Sequence, residues 1–508
     1  MSWGTYNIKN LLTFKKINFN FSSYNITFSI KLSLISQSLS CKFLNCTMLL
    51  FTFLFSLFTQ NQPLQSADSV LVIQQINIEG NHKTKENIIV RELDFAVGDS
   101  IKKGDLAQRI DLNQRKLVNT NLFILIEINH TQNANNQVVI NIKVQERWYI
   151  LGFPTLQISD RNYAEWIQRG ASFSRTTYGI DFQHNNFRGR AEKITLRLEA
   201  GFTQRINLGY NIPYIDKSMT TGMGFDLSYI TNNALAFRSL NDTLNFIKDA
   251  NATLRRRFST SISFRKRLRF YDSHFLELRY NSNAVNDTIA KLNPDYFLEG
   301  RANQKYFQLN YYFNYDFRDN VAYPLRGKRF ELAAVKLGLL PNDDINQFEL
   351  TGGASWYKPL SKKLFYGLNL RAKVSFPERQ SFFNVRGLGY GSDLVRGYEL
   401  YVVDGSSYFL ARNTLRFRLI DHKINLKFLK VKQFNQIPIG IYPTLFGDFG
   451  YVRNRFTEIN QTKLANRSLF GAGVGLDFVT YYNLVIRFSY VVNDRKEKNA
   501  VFTIGREF

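Results

Sequence analysis

Residues 307–317 read FQLNYYFNYDF and alternate between two kinds of side chain. One face would carry the apolar and aromatic set Phe307, Leu309, Tyr311, Phe313, Tyr315 and Phe317. The other face would carry Gln308, Asn310, Asn314 and Asp316, and only Tyr312 departs from the pattern. Side chains of a β-strand point alternately to opposite sides of the sheet. The segment therefore predicts a strand with one apolar face and one wet face.

The same alternation returns at 366–376, 415–419 and 484–490, where Arg or Lys sits among apolar neighbours. A soluble β-sandwich would also show this pattern, with its apolar face as the core. Three further features favour a barrel in lipid: a mid-strand Arg needs a wet face, Phe and Tyr are abundant enough for aromatic girdles, and residues 150–508 carry no convincing amphipathic helix. We therefore predict a mostly β chain with a transmembrane antiparallel β-barrel over 150–508, of about sixteen strands.

The net charge of +25 is spread along the chain, and no run of five like charges occurs. A strongly basic chain often binds nucleic acid, but no motif of that class is present. Both cysteines, Cys41 and Cys46, precede residue 68. We expect no nucleic-acid partner and no disulfide or Cys-based zinc site in the rest of the chain.

The amino-terminal extension, residues 1–67, has five Lys and no acidic residue. Its most apolar run is MLLFTFLFSLF at 48–58, too short to span a bilayer as a helix. This run is typical of the apolar region of a secretory signal, so we interpret 48–67 as a signal-peptide-like segment. Translation from Met48 is one hypothesis for the long stretch before it.

Residues 70–147 predict a separate small domain. A β-rich run at 70–79 is followed by two helical patterns, the second at about 103–119, and then by alternating runs at 123–129 and 138–144. Thr84 is positioned to cap the first helix. The order β-α-α-β-β predicts a small sheet covered by two helices.

This domain resembles the POTRA (polypeptide-transport-associated) module. The resemblance is carried by INIEGNHKT (76–84), REL (91–93), GD (98–99) and NLF (121–123). It implies a single POTRA domain whose exposed sheet edge binds an unfolded client by β-augmentation. A folded spacer without client contacts is the alternative.

Four motifs in the barrel region carry a second resemblance. They are DFRDNVAYPLRGKRF (316–330), VRGY (395–398), FGDFG (446–450) and GAGVGL (471–476). With them the chain resembles the outer-membrane barrel insertase and surface-antigen family whose bacterial members include BamA and TamA. The chain also ends on an apolar-periodic strand with Phe502, Ile504 and Phe508 in phase, which is similar to the sorting signal of outer-membrane barrels. Arg506 departs from that signal.

The Arg of VRGY needs a carboxylate if it lies inside a barrel, and Gly397 beside it permits a positive φ or a close approach. Asp448 lies between two small residues, Gly447 and Gly450, which would leave room for that approach. The resemblance implies that the loop with Val395, Arg396, Gly397 and Tyr398 folds into the lumen. There Arg396 would meet Asp448 in the segment from Phe446 to Gly450. A second segment, VRGL with Arg386, is the competing candidate, and we favour Arg396.

Motifs of catalysis are missing from the sequence. It has no G-x-S-x-G, H-E-x-x-H or Walker-type motif, and its five His are far apart. We expect no enzyme activity, no metal site and no cofactor.

The resemblance implies an outer-membrane protein assembly factor that inserts or translocates β-barrel or surface proteins. We expect it in the outer membrane of a Gram-negative bacterium, with the POTRA-like domain in the periplasm. The expected partners are outer-membrane lipids, unfolded outer-membrane protein clients, and periplasmic or lipoprotein partners. The terminal strand with Phe502, Ile504 and Phe508 would form one side of a lateral gate. Two alternatives of the same fold stay open: a two-partner-secretion-type translocation pore and a structural surface antigen.

Overall fold

The computed structural model describes residues 70–133, 135–158, 167–168, 170, 173, 176–249, 252–425, 436–480 and 484–505. The signal-like segment 48–67, the rest of the amino-terminal extension, and Phe508 lie outside the described residues.

The small domain is a four-stranded sheet with two helices. Its elements are β1 Val70–Glu79, α1 Glu86–Val90, β2 Ser100–Lys102, a 3-10 turn Lys103–Asp105, α2 Leu106–Asn119, β3 Phe123–Gln132 and β4 Gln137–Glu146. The strand order is β2-β1-β4-β3, with β1 parallel to β4. The predicted order of β-α-α-β-β is confirmed. The sequence reading missed only β2, which is three residues long and too short for periodicity to detect.

Apolar residues at helical and alternating spacing form the core of this domain, because they bring Ile89, Leu117 and Ile140 to one buried layer. The expected cap by Thr84 is wrong. The residue before α1 is Lys85, and no side chain caps the helix. Thr84 is buried instead, and its hydroxyl donates to Glu146 Oε1 at 2.6 Å. That contact joins the start of α1 to the end of β4.

The remaining strands build the barrel, together with one outer hairpin and two short helices. They are β5 Ile150–Ile158, β6 Thr176–Phe187, β7 Glu192–Gly201, β8 Thr203–Ile212, β9 Thr221–Asn232, β10 Ala234–Leu240, β11 Thr243–Lys248, β12 Arg255–Lys266, β13 Asp272–Val285, α3 Asp287–Leu292, β14 Asn303–Asp316, β15 Gly327–Leu337, β16 Gln347–Pro359, β17 Leu364–Phe376, β18 Ser407–Phe417, β19 Ile420–Asn425, β20 Gln436–Arg453, α4 Thr457–Asn460, β21 Ser468–Thr480, β22 Leu484–Asn493 and β23 Lys498–Gly505.

All of these strands except the β10–β11 hairpin form one closed barrel, in which β9 pairs with β12 and β23 is the neighbour of β5. Seventeen segments take part. Two of them, β18 and β19, both pair with β20 and are separated by two residues, so they are parts of one crossing. The described residues therefore make sixteen crossings of an antiparallel barrel, which confirms the predicted fold.

The kinds of side chain on the outer and inner faces of the barrel indicate whether lipid or water surrounds it. Large apolar side chains such as Leu309, Leu445 and Phe488 are exposed on the outer wall, whereas Arg416 and Asp477 are buried with no exposed surface. An extended apolar exterior around a charged interior suits lipid and excludes a soluble sandwich. No helix among the described residues is long and apolar enough to cross a membrane.

Tyr312, which broke the alternation in β14, belongs to the wet face. Its hydroxyl donates to Glu331 Oε2 at 2.9 Å and accepts from Arg329 Nη2 at 2.6 Å. The phenol is therefore a lumen residue with a polar role, which apolar-polar counting cannot recognise.

The two ends of the barrel differ. The turns next to the small domain form the domain end, and the connections on the opposite side form the far end. An apolar cluster at the far end joins Leu235 of the β10–β11 hairpin to Tyr296 and Phe297 after α3, and Phe382 and Phe383 pack against it. The far end is thereby covered by its own connections.

Candidate functional site

The connection between β17 and β18, residues 377–406, turns into the barrel. Val395 and Tyr398 of the predicted motif are buried in an apolar cluster with Leu388, Val452 and Leu469. Three of these side chains belong to the connection, while Val452 lies near the end of β20 and Leu469 near the start of β21. The loop is therefore packed against the inner wall and is not an exposed surface loop.

Arg396 and Asp448 meet inside the lumen. The guanidinium donates from Nε to Asp448 Oδ2 at 2.7 Å and from Nη2 to Oδ1 at 2.5 Å, and the Arg396 backbone N–H donates to Oδ2 at 3.1 Å. The Asp448 side chain has no exposed surface. A fully buried carboxylate with three donors from one residue is both charge-paired and hydrogen-bonded, as a buried charge requires.

The ring of Phe446 completes the arrangement. The Arg396 guanidinium carbon lies 3.9 Å from the centre of that ring, and Nη2 also donates to Thr414 Oγ1 at 3.2 Å. The cation thus has an aromatic face on one side and hydrogen-bond acceptors in its plane. Phe446 and Asp448 share a face because they are two apart on β20.

Gly450 and Gly471 leave room for the loop to approach the wall, and the sequence predicted only Gly450. A Cβ at Gly450 would lie 2.4 Å from Val395 Cγ2, and a Cβ at Gly471 would lie 1.7 Å from the Arg396 carbonyl oxygen. A Cβ at Gly447 would meet nothing within 4 Å. The expectation that Gly447 leaves room for the loop is wrong. Gly447 directly precedes Asp448 on the strand, so its side-chain position faces out of the barrel.

The loop also contacts the strand before the carboxy-terminal one. Gly397 has a φ of +101°, and its carbonyl accepts from Asn493 Nδ2 at 2.9 Å. The Tyr398 hydroxyl hydrogen-bonds Asp494, and Tyr401 donates to Glu497 at 2.8 Å. The loop therefore braces the end of β22 and the turn into β23.

The competing arginine lies elsewhere. Arg386 donates to the carbonyl oxygens of Phe382 and Val385 at 2.9 and 2.5 Å, and its guanidinium stacks over Tyr390. These contacts are within its own connection. The structure brings Arg396, not Arg386, to Asp448.

The predicted gate strand is β23. The ring of Phe502 packs at 4.9 Å from that of Phe488 on β22, and Ile504 lies opposite Ile486 in the strand register. In the sheet order β23 is next to β5, so the first and last strands of the barrel form its seam. Phe508 lies outside the described residues.

Sequence reasoning missed the junction between the small domain and the barrel. Arg267, in the turn after β12, donates to both oxygens of Glu92 at 2.7 and 2.9 Å, and the Tyr214 hydroxyl donates to the same carboxylate at 3.0 Å. Burial raises the pKa of Glu92, but the hydrogen bonds and charge of Arg267 outweigh burial and hold that pKa below its usual 4.5. Only the REL motif around Glu92 hinted at this residue.

No group of three or more His, Cys, Asp or Glu that could hold a metal ion occurs within the part of the chain that the structure describes. The site is therefore built from hydrogen bonds, an ion pair and packing. Such an arrangement fixes the position of the loop.

Two family comparisons match this chain. Residues 186–508 match the Omp85 superfamily domain. Residues 71–147 match a POTRA family described as surface antigen variable number repeat. Among curated proteins, none matches the sequence.

Solved structures share the fold at low identity. CdiB from Escherichia coli is 13% identical with a TM-score of 0.54, and the match covers 86% of this chain and 76% of that chain. BamA from Haemophilus ducreyi lacking POTRA domains 1–3 is 17% identical with a TM-score of 0.49, over 85% and 83% of the two chains. At this identity the likeness to CdiB concerns the fold alone.

Proposed function

The chain belongs to the Omp85 superfamily, and from that premise we propose that it is an assembly factor that inserts or translocates β-barrel or surface proteins at the outer membrane of a Gram-negative bacterium. The superfamily consists of insertases and translocators that are not enzymes. The barrel lies in an outer membrane and the POTRA domain in the periplasm. The domain end defined above is therefore the periplasmic end.

The observation that supports this proposal best is the Arg396–Asp448 pair and the loop it holds. The same loop reaches Asn493 and Asp494 beside the last strand. An insertase needs a rigid wall next to a seam that opens, because only then does the opening occur at one place. The buried ion pair would provide that rigidity at the strands next to β23.

The seam supplies the proposed working surface. If β5 and β23 separate, each presents a row of unpaired N–H and C=O groups, which is a template for a further strand. Phe502 and Ile504 of β23 would lie on one side of that opening. The process needs no nucleotide or other cofactor, because strand pairing and burial of the client's apolar surface in lipid favour insertion.

The POTRA domain would deliver clients to this seam. Its sheet order leaves β3 at one edge, and β3 is ten residues long. An extended client segment could add to that edge by main-chain hydrogen bonds. The proposed partners are thus outer-membrane lipids, unfolded barrel or surface proteins, and periplasmic or lipoprotein helpers, with no nucleic acid.

Depletion of the protein in its host, followed by profiling of the outer-membrane proteome, tests the proposal. Broad loss of β-barrel proteins is the expected result. Loss of a single exported cargo would instead assign a translocation pore of the two-partner-secretion type. An unchanged outer-membrane proteome would assign a structural surface antigen and overturn the proposal.

A second experiment tests the seam. A disulfide engineered between β5 and β23 should stop client insertion under oxidising conditions and release it on reduction. The matched control is a disulfide between β15 and β16, neighbouring strands away from the seam, which should have no effect. Insertion that continues with the seam locked would contradict the gate.

A further inference from the structure

The periplasmic turn between β14 and β15, residues 317–326, crosses the mouth of the barrel. Its Tyr323 hydroxyl donates to Asp477 Oδ2 on β21 at 2.9 Å. In the barrel order β21 is five strands beyond β15. That path along the wall is about 24 Å, at about 4.8 Å per strand. A ten-residue turn makes this contact by passing over the lumen, so we call residues 317–326 the mouth strap.

The tip of the strap is buried among lumen side chains. Tyr323 is 4% exposed, and its ring packs at 4.9 Å from that of Tyr442. Arg416, which has no exposed surface, donates to the Pro324 carbonyl at 3.1 Å, and its guanidinium lies 5.0 Å from the Tyr323 ring. Leu325 joins the same apolar cluster. These contacts reach several strands of the wall, so the strap has a built seat.

Asp477 is held independently of the strap. Arg487 on β22 donates to both of its oxygens, at 2.7 and 2.9 Å. The Tyr323 phenol therefore adds one neutral donor to a carboxylate that is already charge-paired. Loss of the Tyr323 hydrogen bond leaves Asp477 paired with Arg487, so this contact costs little to break. Arg416 exchanges the Pro324 carbonyl for water of the opened mouth.

The strap also contacts the POTRA domain. Asn119, the last residue of α2, donates to the Arg318 carbonyl at 3.4 Å and accepts from the Val321 N–H at 3.3 Å. Asn119, Arg318 and Val321 line a cavity of about 1120 Å³ between the POTRA domain and the barrel mouth. On the other side, Arg487 lies opposite Thr503 of β23 in the strand register.

We propose that the mouth strap is a releasable gate of the periplasmic mouth, closed by the Tyr323–Asp477 hydrogen bond and controlled by the POTRA domain through Asn119. When the strap is seated, the cavity beneath the barrel ends at the strap. When Asn119 withdraws with α2, Tyr323 leaves its seat and the cavity joins the lumen. This gate concerns passage into the lumen, so it holds for an insertase and for a translocation pore alike.

Access of a membrane-impermeant maleimide to a lumen cysteine tests the gate, because the far end is covered and the reagent must enter through the mouth. Ser489 lines the same lumen cavity as Arg396, so the cysteine is placed by Ser489→Cys in the full chain with its two native cysteines changed to Ser. Tyr323→Phe keeps the ring and removes only the hydroxyl, so it should fold normally. We expect the labelling rate to rise roughly tenfold, which corresponds to about 1.4 kcal/mol. The matched control is Tyr311→Phe, which removes a phenol bonded to His274 at 2.8 Å on the barrel wall. Equal labelling rates in the two variants would overturn the proposal.

A second pair of variants tests the control by the POTRA domain. Asn119→Ala should raise the labelling rate of the lumen cysteine as Tyr323→Phe does. Gln114→Ala on the same helix removes a hydrogen bond to the Ile126 carbonyl within the domain, and it should leave the labelling rate unchanged. If Asn119→Ala matched Gln114→Ala, the coupling would be wrong. Heat-modifiable migration on a gel selects folded protein for every measurement, and Asn119→Ala also tests closure if Tyr323→Phe does not fold.

Discussion

Two segments enter the barrel from opposite ends, and different chemistry holds them. The loop with Arg396 comes from the far end and is held by an ion pair whose carboxylate has no exposed surface. The mouth strap comes from the periplasmic end and is held by a neutral phenol on Asp477, which Arg487 already pairs. Removing the first anchor leaves Asp448 buried without its partner, whereas loss of the Tyr323 hydroxyl leaves Asp477 paired with Arg487. One end of the barrel is therefore built to stay closed and the other to release.

Removal of the Arg396 anchor should have the largest effect. Arg396→Ala leaves Asp448 buried and unpaired, which should lower the free energy of unfolding by about 3–5 kcal/mol. Denaturant unfolding of the purified barrel in detergent measures the loss. Arg386→Ala removes hydrogen bonds to carbonyls of its own loop and the stacking on Tyr390, and it should cost about 1–2 kcal/mol. Equal losses in the two variants would show that Arg396 is not the anchor.

The second prediction tests the close approach of the loop to the wall. Gly471→Ala places a methyl group against the Arg396 carbonyl and should cost about 1–3 kcal/mol, because either the loop or β21 must move. Gly447→Ala points into open space and should stay within about 0.5 kcal/mol of the unmodified protein. The same unfolding measurement applies. A tolerated Gly471→Ala would mean that the loop lies farther from β21.

The third prediction concerns whether the Arg396 loop and the mouth strap contribute to stability independently of each other. Tyr323→Phe should lower the free energy of unfolding by about 1 kcal/mol. Combined with Arg396→Ala, the two losses should add within about 0.5 kcal/mol, because Tyr323 and Arg396 bond different carboxylates, Asp477 and Asp448. A double-mutant cycle gives the coupling. Strong coupling would make the strap and the loop one unit and would contradict the comparison.

The smallest effect concerns the docking of the POTRA domain. The folded pKa of Glu92 lies below 4.5, so its bond to Arg267 stabilises docking fully above 4.5 and loses that contribution as pH falls through the folded pKa. Acidification should therefore loosen the domain while each domain stays folded. Amide hydrogen exchange of α1 measures the loosening. Glu92→Gln should remove this pH dependence, and its persistence in that variant would assign it to another group.

The barrel could be predicted from sequence because the alternation of apolar and polar side chains is visible within each strand. Residues 368–376 of β17 alternate apolar and polar side chains, and one wet and one lipid face suffice to produce that pattern. The Arg396–Asp448 contact could be predicted because a cation in a lumen requires a carboxylate and the motif resemblance supplied the candidate. The choice of Arg396 over Arg386 depended on the aromatic Tyr398, which the structure buries in the apolar cluster of the loop.

The rest depended on long-range geometry. Tyr323 sits in an unremarkable turn sequence, and its role depends on Asp477, 154 residues later. Glu92 likewise gains its importance from Arg267, in a different domain. The outward orientation of Gly447 follows from the strand period, because Gly447 directly precedes the inward-facing Asp448. The fully buried Arg416 was the one local signal for the strap, because a mid-strand guanidinium needs an acceptor from somewhere.

Assembly of a client protein in lipid vesicles is the most direct test of the proposed assembly function. Vesicles with the purified full chain receive a urea-unfolded outer-membrane barrel protein, and its heat-modifiable folded form is followed over time. We expect faster folding than in empty vesicles, slower folding with Arg396→Ala than with the unmodified chain, and no change with Arg386→Ala. Folding that is no faster with the unmodified chain than in empty vesicles would contradict the assembly function.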